Sequence, residues 1–265
     1  MVTKKSKQTS MDPLIINGSG FAEWHYSWRD KLAAADSEKR EIPNIDRYLS
    51  YCEVSKYPAK TTIISAGEEG DTLYYIIKGT ITVLVEDDSG REIILTYLSE
   101  GDFFGELGIY SEDKKARSAC VRARTDCEVG AISYQRFHEL AKIYPSLMQA
   151  LDSQVADRLR TTTRKVLDLA FLDVTGRVAS CMLDLCRLPE SIEVENGVQI
   201  KVSRQEIARI VGCSREMAGR ILKDMQDMGL IEAHGMTVVV YGASKYSSDE
   251  SDSDDLDDEE PGAIN

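Results

Sequence analysis

The feature that most constrains how this chain folds is a change of hydrophobic period near Tyr134. Between Ser55 and Ile132 the sequence runs as short β-rich stretches cut by Gly and Asp, TTIISAGEEGDTLYYIIKGTITVLVEDDSGREIILTYLSEGDFFGELGIY being the clearest part. Val83, Val85 and the Ile93-Ile94-Leu95 run flank a Glu-Asp-Asp-Ser-Gly turn, which reads as a hairpin, and the regular turn signals indicate a β-roll or jelly roll. Past Tyr134 apolar residues recur at helical spacing. Between Ser146 and Leu172, Leu151, Val155, Leu159, Val166 and Leu169 form a narrow stripe on a helix of about 25 residues. So narrow a stripe on so long a helix calls for a partner helix, and the simplest partner is its own copy in a coiled-coil homodimer. The stripe has a polar gap at Thr162, with Thr163 beside it. A Thr hydroxyl there either meets something across the seam or bonds back to its own helix carbonyl.

Asp173-Val174-Thr175-Gly176 breaks this helix, and Thr175 or Asp173 can cap the next one, expected over 176–188. After Pro189 come two strand candidates, Ile192–Val194 and Val198–Val202, joined around Asn196-Gly197. Two helices follow, then a hairpin of Leu230–Ala233 and Thr237–Tyr241 turning at His234-Gly235. Helix, hairpin, helix, turn, helix, hairpin is the order of a winged helix-turn-helix. The expected fold class is therefore α+β. It comprises an N-terminal extension (1–44), a β-roll (45–145), a long dimerisation helix (146–172), a winged helix-turn-helix (173–246) and an acidic tail (247–265).

Charge is distributed to match this division. A net charge of -13 argues, as a sum, against a polyanionic partner. Residues 247–265, however, hold nine acidic and no basic side chains, whereas residues 154–246 hold 13 basic against 12 acidic. The tail SSDESDSDDLDDEE has almost nothing to bury, so disorder is expected, with its carboxylates competing against DNA for the basic helix. The extension carries Trp24, Tyr26 and Trp28, with the two indoles spaced to share one helix face. The basic N-terminus lacks the apolar run of a secretory leader, and no stretch approaches a membrane span, so a cytoplasmic protein is expected. Six scattered cysteines suggest buried thiols in a reducing compartment rather than a disulfide scaffold or zinc knuckles.

Two segments carry chemistry. In RQEIARIVGCSREMAGRILK, residues 204–223, Ile207, Ala208 and Val211 line one helix, and Gly212-Cys213-Ser214 makes the turn with Ser214 as cap. Met217, Ala218, Ile221 and Leu222 then supply the buried side of a second helix. Arg215, Glu216, Gly219 and Arg220 share its outer face. Arg bonds guanine edges in bidentate fashion, Glu accepts from cytosine, and Gly permits close approach. The window holds five basic against two acidic residues. Lys201, Ser203, Arg204 and Gln205 would contact phosphates of double-stranded DNA. The plainer alternative is a surface helix with a Glu216–Arg220 ion pair. The second segment is Gly105-Glu106-Leu107-Gly108 followed by Arg117-Ser118-Ala119. Backbone N–H groups at a Gly turn, an Arg and a hydroxyl suit a compact anion, and a carboxylate suits a sugar hydroxyl. Together they ask for a ligand with a phosphate and a ribose, although Glu106 and Arg117 could instead form a surface ion pair.

These residues bring out a resemblance. The strings LYYIIKG, GDFFGELG, RSACVRA, LAFLDVTGR, IVGCSRE, GRILK and VVVYG, spread from about Asp46 to Gly242, resemble the cyclic AMP receptor protein (catabolite activator protein) family of bacterial transcription regulators. The resemblance implies a cyclic-nucleotide-binding β-roll with cyclic AMP as effector, homodimerisation, DNA sites with TGTGA-like half-sites, and a contact with RNA polymerase. It implies that Gly105 and Glu106, with Leu107 beside them, meet the cyclic phosphate and ribose, that Arg117 and Ser118 hold the phosphate, and that Thr162 and Thr163 meet adenine, the latter from the opposite subunit. It implies base reading by Arg215, Glu216 and Arg220, and a phosphate contact by Arg204. Departures occur at Met217-Ala218, at Glu53 and Ser55 in the polymerase-contacting patch, and in a loop between Glu106 and Arg117 that is one residue longer. Rival readings keep the fold but use cyclic GMP or cyclic di-GMP, or make the protein a redox regulator through Cys213 or the Cys181/Cys186 pair. No nucleophile-base pair or metal cluster stands out, and His25, His138 and His234 lie far apart in sequence, so an enzyme is not expected.

Overall fold

The structure is a computed structural model that describes residues 42–110 and 116–244. The Trp24/Trp28 segment and the acidic tail lie outside the described residues. The first half opens with α1 (Ile45–Leu49). Eight strands follow, β1 (Glu53–Tyr57), β2 (Thr62–Ile64), β3 (Thr72–Lys78), β4 (Thr80–Glu86), β5 (Glu92–Ser99), β6 (Phe103–Phe104), β7 (Cys120–Ala123) and β8 (Cys127–Ser133), with a 3-10 turn at Glu106–Ile109. They make two four-stranded antiparallel sheets, ordered β1-β8-β3-β6 and β2-β7-β4-β5. The β4–β5 hairpin closes at the turn read from sequence. Val85 faces Ile93, and the Asp87 carboxylate accepts from the backbone N–H groups of Ser89 and Arg91.

Neighbouring side chains on a strand point to opposite faces, and β6 uses this to join two cores. Phe104 packs between the sheets with Ile64, Ile76, Ile81 and Leu98. Phe103 packs outward with Tyr48, Leu73 and Phe137, and Leu147 and Leu151 complete that second cluster. Those last residues come from α2 (Tyr134–Ile143) and α3 (Pro145–Phe171). The long helix runs for 27 residues, begins on a Pro that pre-sets its first turn, packs on the roll near its start, and near its end meets the following helix through Arg164–Asp184 and Ser180–Asp168, each at 2.9 Å. Leu151 is fully buried against the roll, whereas Leu159, Val166 and Leu169 are 67, 59 and 61 % exposed. The stripe read from the sequence is thus real but unpaired within one chain beyond its first turns.

The next helix, α4 (Val174–Cys186), starts two residues earlier than its spacing suggested and ends two residues sooner. The reason is the cap: the Asp173 carboxylate accepts the Gly176 N–H at 2.7 Å, which places Val174 in the first turn. Strands β9 (Ile192–Val194) and β10 (Gly197–Lys201) precede α5 (Arg204–Val211) and α6 (Arg215–Asp227), and β11 (Ile231–His234) pairs with β12 (Thr237–Tyr241). The order β11-β12-β10-β9 makes one antiparallel sheet under the helices, enclosing Val178, Met182, Val198, Ile207, Ala218 and Ile231. At the β9–β10 turn, Gly197 is required by contact as much as by conformation. A Cβ there would fall 2.0 Å from the Val240 carbonyl oxygen on β12. Gly197→Ala is accordingly expected to destabilise the C-terminal domain by about 3 kcal/mol, read as a lowered midpoint in chemical denaturation.

Candidate ligand site and nucleic-acid interface

A cleft opens where the β-roll meets the long helix. Its apolar floor comes from Ile64, Val83, Leu98, Phe104 and Val121, and its polar wall from residues 105–108, residues 116–119, Tyr134 and Arg158. The structure therefore brings Gly105, Glu106, Leu107, Arg117 and Ser118 to one place, although eleven positions separate Glu106 from Arg117.

Gly105 adopts a left-handed conformation at φ 75°, and a Cβ on it would sit 2.8 Å from Arg117 Nη1. The space so left lets the guanidinium bond backbone directly. Arg117 Nη1 donates to the Gly105 carbonyl at 2.8 Å and to the Tyr134 hydroxyl at 2.9 Å, and Nη2 donates to the Thr72 carbonyl at 2.8 Å. Tyr134 in turn donates to the Gly105 carbonyl. All these partners are neutral, and no carboxylate pairs with Arg117 among the described residues. A fixed cation without a counter-charge is what an anion-binding wall needs. Burial pushes the Tyr134 phenol up against the opposing pull of Arg117, so it remains protonated and able to donate.

Glu106 does not pair with Arg117, as one reading of the sequence allowed. It is 8 % exposed and meets Arg158 Nη1 at 3.0 Å, while Arg158 also donates to the Phe103 carbonyl. Neither Arg158 nor Tyr134 was singled out in the sequence. Arg158 is one of several charges along the polar side of a helix, and Tyr134 ends a strand-like run; the only clue was that Arg158 lies one helical turn before Thr162. Thr162 and Thr163 do not line the cleft within a single chain. Both are exposed on α3, and the Thr162 hydroxyl donates to the Arg158 carbonyl at 2.8 Å, the back-bonded arrangement.

The second constellation assembles on α5 and α6. Ser214 caps α6 by accepting the Met217 N–H at 3.1 Å, and Ser203 caps α5 by accepting that of Glu206 at 3.1 Å. Each cap uses a lone pair of its hydroxyl and leaves the O–H as a donor. Gly212 turns the chain between the helices at φ 73°. Arg215, Glu216 and Arg220 are exposed on one face of α6, and Arg204 and Gln205 are exposed at the start of α5. Gly219 does open a close approach, but within the chain it is Arg204 that uses it: the Arg204 Cδ lies 3.3 Å from where a Cβ would stand. The missing side chain thus draws Arg204 to the edge of the reading face.

The thiols behave as core residues. All six cysteines are free, and Cys181 and Cys186 are buried. Desolvation pushes Cys186 up to about 12 and Cys181 further still. On the turn, burial also raises the Cys213 thiol, against the opposing effect of Arg177. A redox switch needs a stabilised thiolate at an accessible position, and these cysteines have the opposite environment.

Fold and cleft define a class: a cyclic-nucleotide-binding roll coupled by a long helix to a winged helix-turn-helix. Residues 54–144 match the cyclic nucleotide-binding domain, and residues 200–231 match the bacterial regulatory proteins of the crp family. The chain is 53 % identical over 204 residues to the cAMP-activated global transcriptional regulator Vfr of Pseudomonas aeruginosa, covering 76 % of this chain and 95 % of that protein. It is 52 % identical to the cAMP-activated global transcriptional regulator CRP of Pasteurella multocida, with the same two coverages. Among solved structures, the c-di-GMP-responsive global regulator CLP of Xanthomonas campestris aligns with a TM-score of 0.70 at 43 % identity, covering 76 % of this chain and 99 % of that one. The chain belongs to the crp family of bacterial regulatory proteins.

For the thiols the expectation is direct. At pH 8 a group with a pKa of about 12 is ionised about once in ten thousand molecules. Cys181 and Cys186 should therefore resist a thiol reagent in the native protein and react at once in denaturant, and peroxide should leave DNA binding unchanged.

Proposed function

We propose that this chain is a cytoplasmic, homodimeric transcription regulator in which cyclic AMP binding at the roll–helix cleft controls binding to double-stranded DNA. The observation that carries the reading is the Arg117 guanidinium, fixed by neutral partners in a cleft that also holds Glu106 paired with Arg158. Cyclic phosphate would engage Arg117, Ser118 and the backbone at Gly105, with Leu107 beside them. The ribose 2'-hydroxyl would donate to Glu106, and adenine would meet Thr162 together with Thr163 of the partner subunit. The names of the relatives, activated by cyclic AMP, support that ligand. The exposed Leu159, Val166 and Leu169 support a helix–helix seam between two copies. In that seam Thr162 and Thr163 would occupy the polar gap.

On DNA, Arg215, Glu216 and Arg220 would read base edges in the major groove. Arg204 and Gln205 would hold phosphates, and Ser214 and Gly219 would shape the helix that does the reading. Two such helices set about 34 Å apart match consecutive half-sites of a TGTGA-like palindrome. Ligand acts by binding the DNA-competent arrangement more tightly than the other. An activator of this kind also contacts RNA polymerase.

The test is operator binding by fluorescence anisotropy with cyclic AMP, cyclic GMP or cyclic di-GMP. Cyclic AMP should tighten binding; a response to cyclic di-GMP in its place would replace the ligand while keeping the fold, the Xanthomonas neighbour being c-di-GMP responsive. Arg117→Gln should weaken ligand binding about 100-fold. Arg220→Ala should cost about 1–3 kcal/mol and relax specificity at one base pair. Val166→Glu should shift the sedimentation coefficient from dimer to monomer.

A further inference from the structure

One strand borders both the ligand cleft and the DNA-binding domain. On β5, Thr96 and Leu98 line the cleft, and Tyr97 between them points to the opposite face, where it packs against the C-terminal core. There the Tyr97 hydroxyl donates to the Glu206 carboxylate at 2.7 Å. Glu206 lies in the first turn of α5, two residues after Arg204, and its backbone is held by the Ser203 cap.

Arg124, at the end of β7, completes the contact. Its guanidinium stacks over the Tyr97 ring at 4.4 Å, pairs with Glu206 at 3.3 Å and donates to the Lys201 carbonyl at 3.2 Å. Glu190 stands 3.8 Å from it on the side of α4. A parallel strut runs beside this one: Arg209 of α5 reaches Glu92 of β5 at 2.9 Å, and Glu92 is also held by Arg122 at 3.0 Å. The Arg124 and Glu206 side chains are only 17 and 22 % exposed, so their attraction escapes most of the screening that weakens surface pairs.

We propose that Tyr97, Arg124 and Glu206 form a clasp that carries ligand occupancy from the sensory roll to the reading helix. A shift of β5 at Thr96 and Leu98 moves Tyr97 by the same amount, because the three residues share one strand. Glu206 passes the shift to α5, and Arg204, seated against Gly219, links α5 to α6. The clasp is closed here with Arg215, Glu216 and Arg220 facing solvent, and as part of the proposal it is assigned to the DNA-competent arrangement. Tyr97 and Arg124 are positioning residues that touch neither ligand nor DNA. The proposal rests on the functional reading above.

The experiment measures operator affinity of full-length protein with and without saturating cyclic AMP, and takes the ratio as the coupling. The variants are Tyr97→Phe, Glu206→Gln and the pair together. Both single changes are nearly isosteric and approach the same bond from either side, so loss of folding in one leaves the other informative. Each single variant should lower the ratio about tenfold, as expected for loss of a hydrogen bond to a charged group. The double variant should lower it no further than Glu206→Gln alone, since that change already weakens the Tyr97 bond along with the Arg124 pair. A merely structural contact would lower the melting temperature and leave the ratio at its wild-type value, and that result overturns the clasp. A raised ratio, or losses that add in the double variant, also overturns it. A wild-type protein whose operator affinity ignores cyclic AMP overturns the functional reading itself, and is recognised before any variant is compared.

Discussion

The pairing of Glu106 with Arg158 is the interaction on which the rest of the molecule depends. It joins the loop after β6 to the long helix, and both partners are largely withdrawn from water. A carboxylate in that position is tolerable only while a cation faces it, and removing one member of such a pair costs far more than the pair contributes. The loop bearing Gly105 and the helix bearing Arg158 are therefore held in register. Gly105 in turn offers its carbonyl to Arg117, which fixes that guanidinium with no carboxylate partner among the described residues. Anion attraction, helix placement and loop shape are thus three consequences of one contact. The Tyr110 hydroxyl, bonded to Asp152 at 2.6 Å, ties the far end of the same loop to the same helix.

Charge in this chain is informative only on a local scale. The sum of -13 is dominated by a tail with nine carboxylates, whereas the face formed by Arg204, Arg215 and Arg220 is basic. A potential felt by a phosphate backbone falls off within about 8 Å at physiological salt, so distant carboxylates matter little to a docked helix. The cleft follows the same rule. Arg117 sits in an acidic half of the molecule, yet its immediate partners are two carbonyls and a phenol, and these decide what it attracts.

How much of this was legible in the sequence depends on the range of the interaction. Period alone distinguished roll, long helix and winged domain, because alternation and helical spacing are properties of neighbouring residues. Gly105, Glu106, Leu107, Arg117 and Ser118 were legible as a set by resemblance and residue chemistry, and the cleft gathers them. What the sequence concealed were contacts set by packing. Arg158 displaced Arg117 as the partner of Glu106, since a helix with several charges does not announce which one turns inward. Tyr134 looked like the end of a strand. Thr162 sits where the polar gap placed it, but in one chain its hydroxyl turns back to the Arg158 carbonyl of its own helix. Gly219 accommodates Arg204, a contact set by how two helices cross, so that having both residues inside the 204–223 window does not reveal it. Tyr97 and Glu206 stand 109 positions apart, and no local pattern connects them.

The two-residue repeat of a β-strand explains why sensing and reading can be linked without a long chain of intermediates. Successive residues on β5 face different domains, so the thickness of one strand separates the cleft from α5. Transmission through such an element needs no new contact to form, only displacement of a strand already held on both sides. The hairpin that carries it favours this role: β5 is the edge of its sheet, paired on one side with β4 and free of strand neighbours on the other. An edge strand yields more readily than a central one, since half its backbone bonds are absent. The clasp residues hold this strand from its face, Tyr97 from β5 itself and Arg124 from the end of β7, two strands away in the sheet. The geometry couples the position of this edge strand to that of the reading helix, and an edge closed by β-pairing would resist the same displacement more strongly.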